Sequence, residues 1–480
     1  MSASPRIRPY GHNPFYWEYD GRPLVLLGGS CVDNLFQRAG QTGPQGQTLA
    51  DELDTLLACG GNYVRCTLSS RDPHNLWPYE KTDDGRYDLE RWNEAYWTRL
   101  RTFLEETQRR GIIVQVELFD PWDCYRAIDA KRPGWAVHPF NPQNNVNYDA
   151  AESGMPEGID YWPYERSHPF FETVPALSDN ERIRTLQEAF VARALAESLP
   201  FGNVLYCIDN QSWADPQWSA YWARFLRRRA GETETYLTEL WDNWDPTAGH
   251  VKQAAVQKAD SHPFLERANA LVTIEHPGLF QYVELSSHNA QSGRTHYETG
   301  LWVRQRIRSS GKARPVNCVK IYGADNPEGD GPATPFGGRQ NDGIARFWRN
   351  LFAGMASVRF QRAPGGLGLN DTAQQHIRAA RVLMAVLDFY HGEPRPDLLR
   401  IEAGQESYCF GNPAQAFAVL MVGKGVAVFE CESMDCQAVV RRLDITKGRW
   451  GDPRMVSSAG HIRLDADTEG PHVFFIEAAE

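Results

Sequence analysis

Short β-branched or aromatic runs alternate with helically spaced apolar segments along most of this chain, and that alternation restricts the fold more than any other feature. Asp20-Gly21, set between Phe15–Trp17 and Leu24–Leu27, predicts a β-hairpin within Asn13–Ser30 whose second arm continues as a first strand. Helical spacing over Thr48–Cys59 stops at Gly60-Gly61, and a strand follows at Tyr63–Leu68. The pattern then repeats as helix and strand: Leu89–Arg110 with Ile112–Leu118, Asp179–Ser198 with Val204–Ile208, and Pro216–Arg229 with Thr235–Trp241. It goes on through Leu265–Ala270 with Phe280–Leu285, Thr295–Ser309 with Pro315–Tyr322, and Gly343–Ala356 with Ser357–Phe360, and a helix at Thr372–Tyr390 closes it. About eight such strands without a Gly-rich phosphate loop predict an α/β fold of the (β/α)8 TIM-barrel kind rather than a doubly wound sheet.

A barrel takes about 250 residues and tolerates insertions, so 480 residues suit one barrel and one small domain. Beyond Pro396 the runs shorten and alternate: Tyr408–Phe410, Ala416–Met421, Val426–Phe429, Ala438–Leu443, His461–Leu464 and Val473–Ile476. Turn residues separate them, which predicts an antiparallel β-sandwich. The expected division is a hairpin segment packed on the barrel over 1–23, the barrel over 24–394 and the sandwich over 395–480. Loops 120–178 and 323–341 are far longer than the usual two to six or so residues and are expected to wall a site above the strands.

Charge excludes some partners. A net charge of −11 lacks the basic face that nucleic acid or an anionic membrane requires. No apolar run reaches the roughly 18 residues of a spanning helix, and the polar start of the chain is not a signal peptide. The nine Cys are scattered singly without CxxC spacing, which reads as free buried thiols in a reducing, cytoplasmic setting. No HxH or HExxH spacing occurs, so no metal and no other cofactor is expected.

In a barrel, chemistry is carried at the C-terminal ends of the strands. Those positions hold Asp33 and Asn34 after strand one, Arg65 on strand two, Glu117 and Asp120 on strand three, and Asp209, Asn210 and Gln211 on strand four. Asp242 and Asn243 follow strand five, Glu284, His288 and Asn289 strand six, Lys320 and Tyr322 strand seven, and Arg359, Gln361 and Arg362 strand eight. Acids set among Asn, Gln, His and Arg suit a polyhydroxylated ligand, although each alone could be a structural ion pair. Trp122, Trp213 and Trp244 each follow a strand and are candidates to stack on a sugar ring, as core packing would also allow.

Asn62-Tyr63-Val64-Arg65 resembles the Asn-x-Val-Arg of the second strand in clan A glycoside hydrolases. Val204–Gln211 resembles their fourth strand, which ends in Asn-Glu. Asp20–Gly29, Tyr408–Pro413 and Trp450 resemble a bacterial cellulase-like group that includes apiosidases, in which a small β-domain follows the barrel. The resemblance implies a glycosidase acting on an oligo- or polysaccharide, with its proton donor at position 211, where this chain has Gln. Either the chain is a natural carbohydrate-binding protein without catalysis, or Gln211 replaces an original glutamate.

The resemblance also implies a nucleophilic Glu on strand seven, and Arg314–Tyr322 has no carboxylate. Glu284 is the nearest substitute, with Asp120, Asp33 and Asp242 behind it. A partner that activates water would invert, with carboxyls about 6.5 to 9.5 Å apart. Arg65, Lys320, Arg359 and Arg362 could neutralise those acids or receive an acidic sugar. Lys320 also leaves open a lyase or isomerase.

Overall fold

The computed structural model describes residues 5–42, 46–163, 165–241, 270–323, 338–402, 404–431, 437–457 and 460–479. Asp242, Asn243, Trp244, the start of the expected helix Leu265–Ala270 and most of loop 323–341 lie outside them. Two compact units emerge: the first comprises residues up to Ile7, Val32–Asp54 and Val64–Ser287, the second Arg8–Cys31, Thr55–Tyr63 and His288–Glu480.

The first unit carries strands two to six of a parallel series: the body of Tyr63–Thr67, then Ile113–Phe119, Val204–Asp209, Leu237–Thr238 and Val283–Glu284. Strands three and four are buried at every position, as strands covered on both faces must be, and they are mostly apolar for that reason, with Gln115, Glu117 and Asp209 as the polar exceptions. Their register places Val114 opposite Val204 and Phe119 opposite Asp209. Strand five joins strand four through Leu237 and Tyr206. Gln281, just ahead of strand six, donates its N–H to Leu237 O at 2.8 Å. Helices Glu94–Arg109, Glu181–Ser198 and Pro216–Ala230 cross over between strands. Each opens on a side-chain cap, from Asn93, Asn180 and Asp215 respectively.

The helix expected from Leu89 starts later. Tyr87–Trp92 is a strand paired with Tyr79–Lys81, and its β-branched-poor sequence has an apolar spacing that fits either element. The described residues of the 120–178 insertion form short helical turns around a dense aromatic cluster. His138 stacks on Trp135 at 5.1 Å, and Phe140 meets Phe170 edge-on at 5.2 Å.

The second unit opens with the hairpin. Trp17–Tyr19 pairs with Arg22–Leu24 across Asp20 and Gly21, both left-handed at φ 50° and 71°, as a tight two-residue turn requires. Trp17 Nε1 donates to Asn317 Oδ1 at 2.8 Å. Strand one, Leu26–Gly28, lies parallel to strand eight, Ser357–Arg359, and strand eight meets strand seven, Val316–Asn317, at Ile321 and Phe360. Gly28 pairs with Tyr63. A Cβ on Gly28 would fall 1.9 Å from Tyr63 O, so only glycine fits. Helices Gly293–Ser309, Gln340–Phe352 and Asp371–Met384 belong here.

The C-terminal strands follow the expected positions closely. One antiparallel sheet runs Glu393–Pro394, Ser407–Asn412, Ala416–Met421, His472–Ala478, Gln437–Asp444 and Arg449–Trp450, with Arg454–Ser457 on Gln437–Asp444. A second runs Leu399–Ile401, Gly425–Glu430 and His461–Ala466. Phe417, Val419, Phe429, Ile462, Leu464 and Ile476 share one core. The described cysteines are buried, except the exposed Cys31.

Candidate active site

The first unit gathers a buried charge network at the ends of strands two to four. Arg65, wholly buried, donates from Nε to Glu117 Oε1 at 2.7 Å and from Nη1 to Asp33 Oδ1 at 2.6 Å. Arg71 donates to Asp33 Oδ2 at 3.3 Å and pairs with Asp120. Asn210 Nδ2 donates to Asp120 Oδ2 at 2.9 Å, and the Trp122 N–H donates to Asp120 Oδ1 at 3.1 Å. Burial by itself would lower the Arg65 pKa, but Asp33 and Glu117 raise it above its usual range. Both arginines therefore stay charged, and their charge is balanced within the protein.

Burial raises the carboxyl pKa of three further acids. Asp209 accepts a 3.0 Å hydrogen bond from Trp218 Nε1, and desolvation lifts its carboxyl to about 8. Glu239 on strand five has no solvent exposure, and burial followed by the nearby Asp209 charge raises it well above the usual carboxylate range. Asp123 rises to about 7, through burial and then Asp120, although Ser69 Oγ donates to it at 2.8 Å. Glu117 Oε2, Asp209 Oδ1 and Glu239 Oε2 have no hydrogen-bond partner among the described residues.

Gln211 follows Asn210 at the end of strand four. It is half-buried and left-handed at φ 58°, a region costly to any residue with a Cβ. Such strain persists where the surroundings over-determine it, often at functional sites. Glu284 is 5% exposed, and its Oε1 accepts the Ser286 N–H at 3.1 Å. Trp122 and Trp213 are half-buried. Trp122 sits 5.8 Å from Trp162, over which Arg126 lies.

His288, Asn289, Lys320, Tyr322, Arg359, Gln361 and Arg362 fall in the second unit. His288 and Asn289 are wholly buried there. His288 Nε2 donates to Asn350 Oδ1 at 3.0 Å, and Asn289 Nδ2 donates to Lys320 O at 2.9 Å. Lys320 is 1% exposed, Tyr322 is buried and Arg362 half-buried. Arg359 donates to Val319 O at 2.7 Å. Among the described residues no three His, Cys, Asp or Glu side chains are arranged to hold a metal ion. No described helix is long and apolar enough to cross a membrane.

Arg71, Asp123, Trp162 and Glu239 were not legible as site residues. Glu239 did carry a signal, being a lone acid inside the strand-like run Tyr236–Trp241.

No family model matches this sequence, and no curated protein does. In structure the chain is similar to a glycoside hydrolase family 5 protein from Bacteroides vulgatus ATCC 8482, with TM-score 0.61 and 11% identity over 99% of this chain and 93% of that one. A second glycoside hydrolase gives TM-score 0.60 at 11% identity over 100% of this chain and 98% of that one. An α-amylase from Geobacillus thermoleovorans, complexed with acarbose, gives 0.51 at 12% identity over 95% and 99%. The fold these likenesses define is a (β/α)8 barrel with antiparallel sheets in the C-terminal region.

Proposed function

We propose that the chain is a glycosidase-type protein that takes an oligo- or polysaccharide at the ends of strands two to four, with Gln211 in the acid/base position. One observation carries this reading: a half-buried amide, in strained backbone, directly follows the Asn210–Asp120 hydrogen bond. That is where the resemblance to clan A enzymes expects glutamate. Glycoside cleavage needs a proton donor within reach of the leaving oxygen and a second carboxyl, for which Glu284 is the candidate. The carboxylates of Asp33 and Asp120 are engaged by Arg65, Arg71 and Asn210. Asp209 and Glu239 hold protons but reach no solvent. The chain therefore retains the saccharide without cleaving it, as an inactive form of a glycosidase. Since Arg65 and Arg71 are neutralised internally, this part of the site favours a neutral sugar over an acidic one.

The test is Gln211→Glu, assayed on a panel of aryl glycosides beside calorimetric binding of the parent oligosaccharides to both forms. Restored general-acid catalysis should raise hydrolysis at least about 100-fold. Binding by both forms with no hydrolysis by either would instead identify a carbohydrate-binding protein that never catalysed. Absence of binding to every sugar would refute both.

A further inference from the structure

Beside Asp120, within the first unit, lies a cavity of about 50 Å³. Six aromatic side chains are among its walls: Trp77, Tyr79, Phe119, Phe140, Phe170 and Phe190. Trp77 is the half-buried member of its lining; the other lining residues are buried.

The polar side chains among the walls are engaged elsewhere in the protein, with one exception. Asp123 accepts from Ser69 Oγ and the Ser70 N–H. Gln187 accepts from Thr173 Oγ1 and donates to Phe170 O. His138 Nδ1 accepts the Phe140 N–H. The exception is Tyr79: it is 3% exposed, and its hydroxyl has no hydrogen-bond partner among the described residues. A buried hydroxyl left unpaired is costly, and an apolar cavity of about 150 Å³ can hold benzene. One third of that volume, lined by several rings and by a tyrosine whose hydroxyl has no partner among the described residues, suits a methyl group joined to a carbonyl.

We propose that this cavity is a specificity pocket for an acetyl substituent on the bound saccharide. Its methyl packs against Phe119, Phe140 and Phe170, and its carbonyl oxygen accepts from the Tyr79 hydroxyl. This rests on the saccharide reading above and adds the substituent to it. N-acetyl and O-acetyl groups share the chemistry.

The experiment is calorimetric titration of the full chain with matched sugars: N-acetylglucosamine against glucose, N-acetylgalactosamine against galactose, and 6-O-acetylglucose against glucose. A buried methyl and one hydrogen bond together predict binding about tenfold tighter for the acetylated member of at least one pair. The N-acetyl and O-acetyl arms show which linkage is used. Tyr79→Phe, which removes only an unpaired hydroxyl, should leave the melting temperature unchanged or raised while reducing that preference severalfold. Cys124→Leu, which fills the cavity from its wall, should abolish it. Equal affinities within every pair would overturn the acetyl assignment and leave the saccharide reading intact. Absence of binding by every sugar would overturn both. A preference that survives both substitutions would place the acetyl group elsewhere and overturn the pocket.

Discussion

Asn210 donates a 2.9 Å hydrogen bond to Asp120, so the residue before Gln211 is fixed to the carboxylate that directly follows strand three. Asp120 is in turn fixed by Arg71, and Arg71 by Asp33. The polar groups at the ends of strands two to four thus form one connected network.

Asp120→Asn keeps the shape and removes the charge that faces Arg71. A buried guanidinium deprived of a partner costs on the order of 3 kcal/mol. The denaturant midpoint should fall accordingly at an unchanged slope, and saccharide affinity should fall with it.

Asp209 makes stability depend on pH. Its carboxyl moves from the ordinary 3.8 to about 8 on folding, so the folded chain keeps a proton that the unfolded chain releases. The contribution is complete below about pH 4 and is lost as pH rises toward 8, at up to ~1.4 kcal/mol per pH unit. Asp209→Asn should flatten that part of the curve of melting temperature against pH. An unchanged slope would show that other groups set it.

Gln211→Gly should separate stability from function. Left-handed backbone costs a non-glycine residue about 1 to 2 kcal/mol, partly offset by the greater freedom of glycine in the unfolded chain. The variant should gain up to about 1 kcal/mol in denaturation and lose saccharide affinity. Equal affinity would place the sugar away from position 211.

Trp122 and Trp162 stand half-buried as neighbours. If they meet a sugar face, saccharide should alter the native tryptophan fluorescence. Trp122→Ala should then weaken binding by about tenfold, within the range that a buried aromatic supplies.

Much of the architecture was readable because buried parallel strands and amphipathic helices leave different periodicities. Val204–Ile208 and Ala416–Met421 fell where expected. Tyr87–Trp92 did not, because a short strand and the first turn of a helix can share one apolar spacing, and only pairing with Tyr79–Lys81 decides between them. Candidate residues at strand ends, such as Asp120 and Asn210, could be named from position. Arg71 could not: its pairing with Asp120 spans 49 residues, a contact set by tertiary folding alone. Arg65 was readable as a strand-end cation, but its complete burial between Asp33 and Glu117 was not.

The hydrogen bond from Trp17 to Asn317 joins residues 300 positions apart. A ribosome adds about 5 to 20 residues per second, so on that timescale Trp17 waits roughly 15 to 60 s for its partner to be made. Until then a large indole and the hairpin that carries it have no finished surface to settle on. The nascent chain therefore passes through a prolonged stage in which this hairpin is exposed to chaperones.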